Sequence, residues 1–229
     1  MNLATLSGVR RRLKAWGIVY KQGRIRVTSP DPAYDQKLAM VERALHEARI
    51  QPQAVAFLYQ DEKTVYRRAS VGYSYGERGS GGSKQPSSDF IGGANTKFRI
   101  AGALDAMTGK VISKTGSKVG IQQFCGFLEQ IRREYGPDIK LYLAMDNWPV
   151  HHHEEVKKTA ERNSISILYL PTYAPWTNPI EKLWKKLETE ILKLHRYSSR
   201  WEELREMIRG FLKRFNRPSP DLLSYIGLG

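Results

Sequence analysis

One cysteine, Cys125, stands among 229 residues. No internal disulfide can form, which suits a reducing compartment such as bacterial cytosol or a nucleus. No apolar run reaches the roughly 18 residues that a membrane-spanning helix needs. Three arginines within the first dozen residues leave no apolar core for a signal peptide. No G-x-G-x-x-G or G-K-S/T pattern precedes a helix, so the Gly- and Ser-rich stretch 72–93 is not a nucleotide-binding loop. That stretch, with Arg78 and Lys84, reads as a long connection, and a substrate clamp is the alternative. No internal repeat occurs, and positions 1–28 contain no acid at all.

The last absence matters because the same positions hold Arg10, Arg11, Arg12, Lys14, Lys21, Arg24 and Arg26. Those seven residues supply half of the net charge of +14. With a sequence pI near 9.8, the balance points to a polyanionic partner, and the patterned, Trp-bearing segment favours nucleic acid over a merely solvated face. Residues 7–16 read as a helix with Ser7 as N-cap, Val9, Leu13 and Trp16 on one face, and Gly17 at C′. Residues 18–27 resemble a small basic hairpin. A basic helix followed by a hairpin looks like the end of a winged helix-turn-helix. The two helices that would cover Val9, Leu13 and Trp16 do not precede it, so 1–28 is expected to be a remnant of such a unit.

The remainder reads as globular: 41% hydrophobic and 26% charged, with a mean hydropathy of −0.51 and enough length for one main core with appendages. The break Ser29-Pro30-Asp31-Pro32 predicts a helix through about Ala48, with Asp31 as N-cap, Pro32 at N1, and Leu38, Val41, Leu45 and Ala48 inward. Strands are predicted at 54–60, 97–104, 111–113, 139–145 and 165–170. Helices are predicted at 118–135, about 151–162, 179–194 and 201–215, the last with Arg205, Arg209 and Lys213 outward. The order predicts an α/β fold, a mixed sheet flanked by helices, whose sites gather at strand ends.

Three acids stand where such a site would be. Asp61 follows the apolar run 54–60, Asp146 ends strand 139–145, and Glu181 lies in the first turn after a Pro-rich approach. Magnesium prefers carboxylates, phosphates and water, and two such ions about 3.5–4 Å apart can serve an in-line phosphodiester displacement. Metal-dependent phosphodiester chemistry is therefore the leading idea. Each acid also has a plainer reading. Asp61 can be a turn residue, with Glu62 the active acid instead, since neighbours on a strand point to opposite faces. Asp146 can form an Asx-turn with Asn147. Glu181, at N3 behind Asn178 and Pro179, can be part of a helix cap. His151, His152 and His153 cannot all face one zinc ion from a helix, and no Cys or spaced His completes a site; one histidine near Asp146 orienting water or phosphate is the better expectation.

Taken together, these motifs resemble the DDE transposases of the mariner-type superfamily, in its bacterial insertion-sequence branch. The matching pieces are Gln60-Asp61-Glu62-Lys63, Asp146-Asn147 with His151, and residues 173–184 (YAPWTNPIEKLW), with 34 residues, 147–180, between the second and third acids. Residues 99–109 (RIAGALDAMTG) and Ser29, Asp31, Tyr34 and Lys37 also look like this branch, and the similarity spans roughly residues 7–227. The resemblance implies a ribonuclease H-like fold and two Mg²⁺ or Mn²⁺ ions held by Asp61, Asp146 and Glu181 as the catalytic triad, which settles Glu62 against Asp61 in favour of Asp61. Asn147 and His151 would be supporting. It further implies cleavage at element ends and attack of the freed 3′-OH on target DNA, typically at a TA step. The partners would be double-stranded DNA, with its inverted repeats, and a second copy of the chain on DNA, with no membrane. The location would be bacterial cytoplasm, on the nucleoid. Residues 1–28 would be the remnant of the DNA-binding region, 29–49 a linker helix, and 50–229 the catalytic domain with its C-terminal helix. Relatives carry two full helix-turn-helix units before this point. The alternative function is a truncated, non-catalytic DNA-binding remnant or regulator of transposition.

Overall fold

A computed structural model describes residues 5–21, 28–75, 86–88 and 96–229. Along strand β1 (Val55–Tyr66), Val55, Phe57 and Tyr59 belong to one buried cluster and Ala56 and Leu58 to another. Alternation with both faces apolar is the signature of a central strand covered on both sides. Its neighbours are β2 (Lys97–Asp105) and β4 (Lys140–Met145), with β3 (Val111–Gly116) and β5 (Ile165–Tyr169) outside them, giving the order β3-β2-β1-β4-β5. The β1–β2 and β2–β3 pairs are antiparallel, and the β1–β4 and β4–β5 pairs are parallel. The expected mixed sheet is present. Helices α2 (Tyr34–Ile50), α5 (Ile180–Leu187), α6 (Trp201–Lys213) and α7 (Pro220–Ile226) pack their apolar residues on the Phe57 face. Helices α3 (Ile121–Tyr135) and α4 (Glu154–Arg162) cover the Leu58 face.

The two partners of β1 end at different places, and this offset makes the site. Parallel pairing with β4 stops at Tyr59↔Ala144, whereas antiparallel pairing with β2 continues to Tyr66↔Lys97. Asp61 therefore lies inside a strand rather than in a turn after residue 60, on the stretch that β4 no longer covers. Asp61 and Asp146 are each two residues beyond that last parallel pair.

Several local expectations are corrected. The N-terminal helix α1 is Leu6–Ala15, capped by Thr5, whose Oγ1 accepts from Gly8 N at 3.1 Å, and not by Ser7. Gly17 does take the left-handed turn, at φ 71°. Val9 and Trp16, on the face expected to want cover, are 42% and 61% exposed, and Arg12 lies over the Trp16 ring at 5.1 Å. Helix α2 starts at Tyr34 with no side-chain cap. Asp31 instead turns the chain before it, accepting from Ala33 N at 2.9 Å. The predicted helix 151–162 divides into a 3-10 turn, Pro149–His152, and α4, whose N-cap is His153. The predicted helix 179–194 changes to a wider π turn at Glu188–Leu192. Arg205 and Arg209 do not project freely. Both lie over the ring of Phe98, at 5.2 and 5.6 Å, and pair with Glu202 and Glu206. Helix α7 was not anticipated. The predicted hairpin's residues 22–27 lie outside the described residues, as do 76–85 and 89–95 of the Gly-rich stretch.

Two polar hubs tie distant segments together. Arg132 donates to the carbonyls of Asn163, Gly136, Ile139 and Ser164 at 2.5–2.9 Å, joining the end of α3 to the starts of β4 and β5. Asp31, its side chain 5% exposed, accepts from Lys37 Nζ and from Thr172 N, both at 2.8 Å. Ser29 Oγ donates to Thr172 O and Trp176 Nε1 donates to Tyr34 OH. Ser29, Asp31, Tyr34 and Lys37 thus form one joint that holds the loop leading into α5.

Candidate active site

Asp61, Asp146 and Glu181 line one cavity of about 340 Å³, together with Asn147, Asn178 and Tyr173. The cavity opens where β4 ends, against the start of α5. A larger cavity of about 590 Å³ lies along the far half of β1 between Lys63, Arg68 and Leu192, and none of the three acids borders it.

Asp61 points to the α5 face. Its Oδ2 accepts from the indole Nε1 of Trp184 at 2.8 Å. Burial pushes its carboxyl up to about 8, and the charges of Glu181 and Glu62 add to that; the Trp184 hydrogen bond pulls the other way. Glu181 is an exposed residue at the cavity, yet its carboxyl is also raised, first by loss of solvent around the charged end and then by Asp146, against the pull of Lys63. The helix start shows no side-chain capping hydrogen bond. Asn178 is buried and spends its amide on a bond to Gln60 O at 2.9 Å. The capping alternative for Glu181 is therefore not realised, and its carboxylate remains beside the other two.

Asp146 does form the Asx-turn that was its plainer reading: Oδ1 accepts from Trp148 N at 3.0 Å. The same oxygen lies 2.9 Å from His151 Nδ1. Burial disfavours its charge, but the His151 and Trp148 hydrogen bonds outweigh that and hold the carboxyl below its ordinary range. His151 is completely buried, and its Nε2 lies 3.2 Å from Glu62 Oε1. Burial alone would lower the imidazole; Asp146 and Glu62 together push it up to about 9. Glu62 also accepts from Gln60 Nε2 at 2.7 Å. Strand alternation thus separates the two neighbouring acids, Asp61 towards the cavity and Glu62 towards His151. Asn147 donates to Leu170 O at 2.7 Å and joins the ends of β4 and β5.

Glu62, Asp146 and His151 also bring ligand-type atoms within 4.8 Å of one another. The two nitrogens of an imidazole point apart, and each faces a different carboxylate here, so this group is a hydrogen-bonded relay and not a three-ligand cage. His152 stacks on Tyr169 and His153 caps α4. The three histidines go separate ways, as expected. Of the basic set, Arg10, Arg11, Arg12 and Lys14 are exposed on α1 and Lys21 is exposed after it; Arg24 and Arg26 lie outside the described residues. Trp184, Gln60 and Asn178 were not singled out for this site beforehand. The signal for Trp184 was available: a tryptophan on a buried helix face needs an acceptor for its N–H.

A carboxylate-lined cavity at the carboxyl end of a parallel strand pair, on a β3-β2-β1-β4-β5 sheet with helices on both faces, defines a ribonuclease H-like fold. Residues 56–205 match the DDE superfamily endonuclease family, and the chain belongs to it. The "Insertion element IS630 uncharacterized 39 kDa protein" of Shigella sonnei is 30% identical over 206 residues, 90% of this chain and 57% of that protein. The chain thus spans little more than half the length of that relative. Among solved structures, the Mos1 transposase paired-end complex with left transposon end aligns with a TM-score of 0.68 at 18% identity, over 97% of this chain and 66% of that one. The catalytic domain of Mos1 mariner transposase aligns with a TM-score of 0.55 at 14% identity, over 91% of each. These two likenesses bear on the fold.

Proposed function

We propose that this chain carries the catalytic domain of a DNA transposase, which cuts the ends of an insertion element and joins the freed 3′-OH to target DNA. The observation that carries the reading is the meeting of Asp61, Asp146 and Glu181 in one cavity, from a strand, a strand end and a helix start. In this reading residues 50–229 are the catalytic domain, 29–49 link it, and 1–28 contribute to DNA binding through their basic side chains. Double-stranded DNA is the partner, with inverted repeats at the element ends and a TA step in the target, and two copies act together on it. A nucleoid location follows from that partner.

The residues fit divalent cations. All three donors are hard carboxylate oxygens. Burial and neighbouring acids disfavour charge on Asp61 and Glu181, a penalty that a dication among them would relieve. Asp61, Asp146 and Glu181 would hold two Mg²⁺ or Mn²⁺ ions; mariner Mos1 paired-end complexes are described with Mn and with Mg. Bound there, such ions supply positive charge to the displacement at phosphorus and favour ionisation of the attacking water or hydroxyl. The protein's own part is positioning: His151 and the Trp148 N–H fix the Asp146 carboxylate, Asn147 fixes the end of β4, and Asn178 fixes the start of α5 against β1.

The test uses DNA carrying the inverted repeats that flank the gene, incubated with Mg²⁺ or Mn²⁺. Cleaved ends and end-to-target joints are expected, and Asp146→Asn should lower both by about 100-fold or more, beyond what loss of an outer partner costs. Unchanged products from Asp146→Asn would overturn the assignment. Cleavage without joining would reduce the reading to a ribonuclease H-like nuclease.

A further inference from the structure

Trp184 is 1% exposed, so its indole N–H has no water to turn to and must find an acceptor in the protein. The acceptor is Asp61 Oδ2, at 2.8 Å. Asp61 sits directly opposite Gly102 in the β1–β2 pair, and side chains at such positions share a face about 4.5–5.5 Å apart. At Gly102 there is no side chain, and the indole fills the slot. A Cβ built there would come within 2.7 and 2.9 Å of two ring carbons of Trp184 and 3.2 Å of Ile180. Any other residue would displace the ring that reaches Asp61. Trp184 also lies three residues after Glu181 on α5, a spacing that makes them neighbours along the helix. The docking of α5 therefore delivers the third acid and the donor to the first acid in one step.

We propose that Trp184 is a positioning residue for Asp61: its N–H orients the carboxylate as a cation ligand, and Gly102 provides the slot that makes this possible. This rests on the metal-site reading above. A carboxylate offers about four lone-pair sites; the indole claims one on Oδ2 and fixes the plane, leaving the others for the cavity. An indole is a donor only, so it holds Asp61 in the acceptor role that ligation requires.

The test measures Mn²⁺ affinity of the full chain by electron paramagnetic resonance, without DNA. Trp184→Phe keeps the ring but removes the donor, and should weaken binding about 10-fold or more, the scale for loss of an outer-shell partner. Gly102→Ala keeps every polar group and should act in the same direction by displacing the indole. A measurement on the unaltered protein needs no variant: the Trp184 indole N–H resonance, assigned through bonds, should shift on Mg²⁺ addition with the same Kd as binding. Mn²⁺ affinity within twofold of the original in a folded Trp184→Phe, or an indole resonance indifferent to Mg²⁺, would overturn the positioning role while leaving the acidic site standing. Absence of any Mn²⁺ binding by the unaltered chain would overturn the metal-site reading itself, and this inference with it.

Discussion

Asp61→Asn should make the cation-free protein more stable while removing its activity. The folded environment pushes the Asp61 carboxyl from its ordinary value near 3.8 to about 8, chiefly by burial and then by the charges of Glu181 and Glu62. A raised acid holds its proton in the folded state at pH values where the unfolded chain has released it. Folding stability therefore falls as pH rises from about 4 to about 8 and levels off above that. At about 1.4 kcal/mol per pH unit, that window corresponds to roughly 5–6 kcal/mol of destabilisation. Asparagine keeps an oxygen for the Trp184 N–H, but its amide is also costly to bury, so roughly 2–3 kcal/mol of the difference should remain. Urea unfolding in EDTA at about pH 8 should show the variant more stable by that amount, with the gap shrinking towards pH 5. Adding Mg²⁺ should close the gap by stabilising the original protein alone. A variant no more stable than the original at pH 8 in EDTA, or a gap as wide at pH 5, would refute the electrostatic reasoning.

Arg132→Met should destabilise the fold by about 2 kcal/mol, since one charged group serves four carbonyls that would be left to water or unpaired; calorimetry should show a Tm lower by about 4–8 °C, and a change under a degree would dismiss the hub. Asp31 is held well below the usual carboxylate range by Lys37, then by the Thr172 and Ala33 N–H groups. A depressed acid stabilises the fold above its unfolded pKa and loses that contribution as pH falls through its folded pKa. Asp31→Asn should therefore lower stability at neutral pH and flatten the acid side of the stability profile, and an unaltered acid limb in pH-dependent denaturant melts would count against it.

The sheet was legible because its strands obey strong local rules. Phe57, Tyr59, Leu141, Leu143, Ile165 and Leu168 sit in short apolar runs between turn signals, and all of them are buried. Where the reading failed, tertiary contacts had overridden propensity. Asp31-Pro32 is a sound helix start on paper, yet Asp31 is engaged with Lys37 and Thr172, and the helix begins at Tyr34. Arg205 and Arg209 have the spacing of an exposed basic face, yet Phe98, far away in sequence, lies beneath them. The end of β1 was placed too early because Asp61, Glu62 and Lys63 are poor strand formers; pairing with β2 supplies what their propensities do not.

The three acids were legible as a candidate set from their places after two apolar runs and at a helix start. Each kept a structural alternative that only the resemblance weighed against. The structure treats those alternatives unequally. For Glu181 the cap is not formed. For Asp146 the Asx-turn is formed, and it coexists with a place on the cavity, because Oδ1 alone serves Trp148 and His151. For Asp61 the answer depends on register, which no single stretch of sequence contains: β4 ends at Met145 while β1 runs on to Tyr66. That overhang leaves Asp61 without a β4 neighbour, and α5 moves in with Trp184 over Gly102 to hold it. A strand that stopped with its parallel partner would have placed Asp61 in a turn, too mobile to act with two other carboxylates. The same reasoning explains why Glu62 is not the third wall of the cavity. One residue further along a strand faces the other layer, where its carboxylate meets His151 and reaches Asp146 only through that ring.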